Sequence, residues 1–104
     1  MNAKEYGVEA FQAMTEKKFM ADVIKAARVF GWKVFHVFDS RRSPEGFPDL
    51  VLVRKQKLMF AELKSEKGKL TKDQEDWIRQ LIKAGTEVHI WRPHNWDMIL
   101  EELE

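Results

Sequence analysis

Hydrophobic positions recur along this chain in two rhythms. From Thr15 onward, Phe19, Met20, Val23, Ile24, Ala27 and Phe30 fall at three- and four-residue intervals, the spacing of one helix face, and Gly31 supplies the stop. The period then shortens to two. "KVFHVF", Lys33 to Phe38, alternates and is rich in aromatic and β-branched residues, which predicts a strand. The polar stretch "DSRRSPEGFP" carries Pro44, Gly46 and Pro48 as breakers and reads as a loop. "DLVLVR" and "KLMFAELK" predict two more strands joined by a short basic turn around Lys55 and Gln56; their continuous apolar runs predict cover on both faces. After the loop "SEKGKL", Thr71 opens a helix to about Ala84, with Trp77, Ile78, Leu81 and Ile82 as its buried stripe and Gly85 closing it. "EVHIW" predicts a fourth strand ended by Pro93, and an amphipathic helix runs from about Trp96 to Leu103. A helix between the third and fourth strands implies at least one parallel pair, hence a mixed sheet.

The length, 104 residues, suits one domain: an N-terminal extension over 1–14, a core over 15–93 and a C-terminal helix over 94–104. Hydrophobic residues at 44% and charged residues at 34% argue against disorder. The absence of cysteine excludes disulfides and thiolate metal sites. No signal-peptide core or membrane-length apolar run is visible, so a cytoplasmic protein with no membrane partner is expected. Charge is lopsided. Residues 1–72 hold 15 Lys and Arg against 9 Asp and Glu, whereas residues 73–104 hold 3 against 8. A basic face opposed to an acidic end suits a polyanion on one side, although charge asymmetry alone is more simply explained by a solvated mixed surface.

The charged ends of the two middle strands carry the chemistry. Alternation puts Glu62 and Lys64 on one face of the third strand and Ala61 and Leu63 on the other. Asp49 opens the neighbouring strand directly after Pro48, so a tight hairpin brings Asp49 and Glu62 together. Two carboxylates that close repel unless a cation lies between them. Hard oxygen donors without cysteine suit Mg²⁺, with Mn²⁺ as substitute, the remaining shell being water, a backbone carbonyl and substrate phosphate. Lys64 adds positive charge where a water would be activated or a phosphorane-like transition state stabilised. Singly, each of these residues is more often a turn residue or salt-bridge partner; together at one sheet end they point to phosphodiester hydrolysis.

Pro48-Asp49, twelve intervening residues and then Glu62-Leu63-Lys64 resemble the PD-(D/E)XK nuclease signature. The wider run "GWKVFHVFDSRRSPEGFPDLVLVRKQKLMFAELKSEKGKLTKDQEDWIRQLIKAGTEVHIWRP" resembles the VRR-NUC branch of that superfamily, in particular its small stand-alone members from phages and bacteria; the likeness spans about Thr15 to Pro93. What the resemblance implies is a restriction-endonuclease-like αβββαβ core, an α/β fold with a mixed four-stranded sheet flanked by helices. It implies a Mg²⁺-dependent DNA endonuclease, homodimeric, without a small-molecule cofactor, acting on branched DNA such as four-way junctions. The implied metal ligands are Asp49, Glu62 and the Leu63 carbonyl.

The resemblance also touches residues outside that set. Glu16 matches an acidic residue directed at the metal site, while favourable charge in the first turn of a Thr15-capped helix explains it as well. Gln74 matches a recurrent glutamine, yet Thr71-x-x-Gln74 is also a capping box. His36 is a candidate contact to DNA or water; His89 and His94 read as structural. Ser40, Arg41 and Arg42 in the loop before Asp49, and Lys67, Lys69 and Lys72 after the third strand, are candidate phosphate contacts. Trp32, Trp77, Trp91 and Trp96 read as core or dimer-interface residues. The alternatives to a junction endonuclease are a less selective repair nuclease, nicking or exonucleolytic, and a non-catalytic DNA-binding subunit. Retention of Asp49, Glu62 and Lys64 together favours an enzyme.

Overall fold

In the computed structural model, residues 10–36 and 44–104 are described. The first long helix, α1, spans Glu16–Val29; the Thr15 side chain caps it by accepting a hydrogen bond from the Lys18 N–H. Phe19, Val23 and Ala27, one every fourth residue, are its fully buried stripe. Three strands follow, β1 (Lys33–His36), β2 (Leu50–Arg54) and β3 (Lys57–Leu63). Helix α2 (Lys72–Lys83), strand β4 (Glu87–Trp91), a 3-10 turn (Pro93–Asn95) and helix α3 (Trp96–Leu103) complete the order. Of the strand expected over Lys33–Phe38, the part beyond His36 lies outside the described residues, as do residues 1–9 of the expected N-terminal extension.

The sheet order is β1-β2-β3-β4, with β1·β2 and β2·β3 antiparallel and β3·β4 parallel. It is thus the mixed four-stranded sheet flanked by helices that the pattern predicted. Lys55, with φ of 55°, turns β2 into β3, and Leu50 pairs with Ala61 at the far end of that hairpin. Leu50, Leu52, Met59, Ala61, Leu63 and Trp91 face the α1 stripe and the α3 residues Trp96, Ile99 and Leu103 in one continuous core, with Trp32 at its edge. Among the described residues no helix is long and apolar enough to cross a membrane.

Two expectations are corrected by the packing. The continuous apolar runs of β2 and β3 predicted cover on both faces, but on the face away from that core Phe35, Val53 and Leu58 remain exposed. Helix α2 shields only part of that face, where Phe47 packs edge-on between Phe60 and Trp77. Ile82, expected in the buried stripe of α2, is also exposed, whereas Ile78 is the buried residue of that helix.

One side chain gathers the loose ends of three elements. Arg54, last in β2, donates through Nη1 to the carbonyls of Phe30 (3.0 Å) and Leu103 (2.9 Å), at the C-terminal ends of α1 and α3. Its guanidinium stacks 4.5 Å above the Trp32 ring, and Trp32 Nε1 donates to the same Leu103 carbonyl at 2.9 Å. Helix ends leave carbonyls without partners, and a cation there satisfies both the hydrogen bond and the dipole. Arg54→Ala should lower unfolding free energy in urea titrations by about 3 kcal/mol, the sum expected for charged hydrogen bonds and the lost ring contact. Arg54→Lys should recover only part, since an ammonium lacks the planar face that lies over Trp32.

Candidate metal and phosphate site

The site grows out of the alternation of β3. Ala61 and Leu63 point into the core, which sends Glu62 and Lys64 to the opposite side; both are nonetheless buried, Glu62 at 1% exposure and Lys64 at 8%. The Lys64 N–H donates to the Trp91 carbonyl at 3.0 Å, so the parallel ladder to β4 runs on past the end of β3. On the other side, pairing with β2 stops at Leu50–Ala61, and the Asp49 side chain takes over: its Oδ2 accepts from the Leu63 N–H at 2.8 Å. Asp49 and Glu62 are thereby brought together, as the hairpin reading required.

Three residues ahead of Asp49 are clamped. Pro48 is fully buried, and Phe47 sits edge-on to Phe60 at 5.8 Å and to Trp77 at 5.1 Å. Gly46 has φ of 93°, and a Cβ there would lie 2.5–2.7 Å from the backbone of Asp73 and Gln74 in the first turn of α2. Only glycine fits this approach. The α2 turn is itself held by a capping box: Thr71 Oγ1 accepts from the Gln74 N–H at 3.1 Å, and Gln74 Oε1 accepts from the Thr71 N–H at 2.9 Å. The Gln74 side-chain oxygen is therefore engaged in capping, the more ordinary of its two expected roles.

Electrostatics mark Glu62. Neither of its carboxylate oxygens has a hydrogen-bond partner, although both are buried. Burial, first, and then the Asp49 carboxyl push its pKa up to about 9; Lys64 opposes the rise and Glu16 adds to it slightly. The Asp49–Glu62 contact becomes a hydrogen bond only when one carboxyl keeps a proton, which is why the ionised pair leaves the Glu62 oxygens unsatisfied. Glu16 feels the same field: partial desolvation raises its pKa, Lys64 lowers it and Asp49 raises it. Orphaned, buried oxygens flanked by a second carboxylate fit a hard divalent cation.

Glu16, Asp49 and Glu62 do not close into a compact three-carboxylate cluster. Among the described residues, the one group of three whose ligand atoms all lie within 4.8 Å is Glu87, His89 and Glu102, between β4 and α3. This group could hold a metal, and the sequence pattern did not expose it, because Glu102 joins it only through the packing of α3. Its donors are already occupied, however: His89 Nε2 lies 2.6 Å from Glu87 Oε2, and Lys57 Nζ lies 3.7 Å from Glu87 Oε1. The unsatisfied oxygens are those of Glu62.

Of the expected phosphate contacts, Lys67, Lys69 and Lys72 are exposed on the segment that follows Lys64. His36 lines a shallow cavity of about 290 Å³ with Lys17 and Arg28, on the α1 side of the sheet. Ser40, Arg41 and Arg42 lie outside the described residues. The His94 N–H donates to Glu66 Oε1 at 2.7 Å, and its ring Nδ1 lies 2.9 Å from the same oxygen.

The family model of the VRR-NUC domain, a nuclease-type domain, matches residues 5–94. A solved structure described as a VRR_NUC domain is similar in fold, with a TM-score of 0.70 and 23% identity, over 86% of this chain and 97% of that one. Among curated protein sequences none matches.

Two outcomes test the geometry. Glu62 has a folded pKa above its unfolded value of 4.5, so the metal-free native state holds a proton that the unfolded chain releases. The stability this lends is complete below about pH 4.5 and drains away as pH climbs to about 9. Urea denaturation in EDTA should show that decline, and Glu62→Gln should flatten it. Gly46→Ala, forced against the α2 backbone in a left-handed conformation, should cost about 2 kcal/mol or more in the same assay.

Proposed function

The chain belongs to the VRR-NUC family, and from that membership and the charged end of its sheet we propose that it is a Mg²⁺-dependent DNA endonuclease selective for branched DNA such as four-way junctions. The observation that carries the reading is the buried Glu62 carboxylate with both oxygens unpartnered, set beside Asp49. Asp49, Glu62 and the Leu63 carbonyl would hold the cation, with Glu16 contributing negative charge from the start of α1. When bound, Mg²⁺ supplies Lewis-acid stabilisation of phosphate charge and makes water more acidic.

This chain's own side chains do the rest. Lys64, almost completely buried, keeps a fixed positive charge beside the attacking water, orienting it and stabilising charge that develops on the phosphate oxygens as the phosphorus–oxygen bond breaks. Lys67, Lys69 and Lys72 grip phosphates of the bound strand, with His36, Ser40, Arg41 and Arg42 as further contacts. A homodimer would present two such sites to a two-fold junction. Because phosphate contacts dominate this scheme, affinity should fall steeply with salt.

Purified protein and Asp49→Ala, each incubated with labelled four-way-junction and linear duplex DNA in Mg²⁺ or EDTA, test the reading. Junction cutting that requires both Mg²⁺ and Asp49, with at least a hundredfold loss in Asp49→Ala, is the expected result. Equal cutting of both DNAs keeps the nuclease and removes the branch selectivity. DNA binding without cutting in either Mg²⁺ or Mn²⁺ points instead to a non-catalytic subunit.

A further inference from the structure

We infer that Arg92 is a positioning residue for DNA binding: it folds the Ser65–Lys69 turn so that Lys67 and Lys69 stand ready beside the Glu62–Lys64 end of the sheet. The inference rests on the nuclease reading. Arg92 follows β4 directly, and its Nη1 donates to three carbonyls of that turn, Ser65 at 2.6 Å, Gly68 at 2.7 Å and Glu66 at 3.3 Å. A nitrogen with two hydrogens thus satisfies two carbonyls directly and shares with a third.

The turn closes on itself through the Gly68 N–H donating to the Ser65 carbonyl at 3.2 Å. Glu66 is drawn to the same side, its Oε1 accepting from the His94 N–H at 2.7 Å and lying 2.9 Å from His94 Nδ1. Arg92 is held in turn by Asn95, whose Oδ1 accepts from the Arg92 N–H at 2.9 Å.

With the carbonyls and Glu66 directed at residues 92–94, the two side chains left exposed on the turn are those of Lys67 and Lys69. A free loop over Ser65–Lys69 would spread these ammonium groups over many arrangements, and DNA would have to order them on binding. The guanidinium does this ordering beforehand, from a position that need not touch DNA.

The test compares wild type, Arg92→Ala, the Lys67→Ala/Lys69→Ala pair and the triple variant. Binding of fluorescent duplex DNA is followed in EDTA across a salt series, and tryptic cleavage after Lys67 and Lys69 is followed in wild type and Arg92→Ala. Arg92→Ala should lower affinity about tenfold at low salt, flatten the log–log salt slope by about 1 to 2, and speed cleavage in the turn. In the lysine-free background Arg92→Ala should change DNA binding no further. Circular dichroism establishes that each variant is folded; if Arg92→Ala is not, Arg92→Met, which keeps the aliphatic length and loses the donors, is read by the same criteria.

An unchanged salt slope in a folded variant, or an equal loss with and without the lysines, overturns the inference. Wild-type protein that binds no DNA at low salt overturns the nuclease reading as well. That second failure is recognisable because faster cleavage in Arg92→Ala would then still report a purely structural tie.

Discussion

A carboxylate closed off from water with neither oxygen bonded is the group this fold must accommodate, and the neighbouring elements are arranged around it. Burying such a charge alone would cost several kcal/mol or more, so Glu62 keeps a proton or meets a cation. Burial raises its pKa most, Asp49 adds to the rise and Lys64 opposes it, which leaves the pKa at about 9. The sheet makes that burial unavoidable. Ala61 and Leu63 are committed to the α1–α3 core, which fixes the side of β3 on which Glu62 must lie, and β4 on one flank and Asp49 on the other leave it no route to solvent.

Two arginines stand at opposite ends of the sheet and perform related tasks. Arg54 collects carbonyls where α1 and α3 end, on the side of the core; Arg92 collects carbonyls in the turn after Lys64, on the side of the candidate site. In both places irregular backbone with surplus acceptors is closed by one planar cation. This is economical for a short chain, because a single side chain replaces the several turn residues otherwise needed to hold each segment.

Much of this was legible in the amino-acid pattern, for identifiable reasons. Period-four spacing at Phe19, Val23 and Ala27, and the apolar run from Leu58 that gives way to alternation over Ala61 to Lys64, reflect helix and strand geometry directly, so α1, β3 and the partition of Ala61 and Leu63 from Glu62 and Lys64 could be read locally. Thr71 and Gln74 form a cap within four residues, again a local signal. Exposure of Val53, Leu58 and Ile82 was not legible, since it depends on how much of the second face α2 covers. Gly46, Arg92 and the Glu87–His89–Glu102 group were missed because each acts across the fold, against the α2 backbone, the residue 65–68 turn or α3. No spacing rule reports such contacts.

The parallel pairing of β3 with β4 has a consequence in time. Glu16, Asp49 and Glu62 leave the ribosome before residues 87–92, which hold the strand that flanks Lys64 and the arginine that ties the following turn. A nascent chain that has emerged only as far as the ELK run has the acidic residues and lacks the frame that seals them. Non-local pairing of this kind forms late, because the intervening chain must first be closed. The charged end of the sheet is therefore completed only once residues 87–92 have emerged and paired, and a shorter nascent chain carries the residues of the site without its architecture.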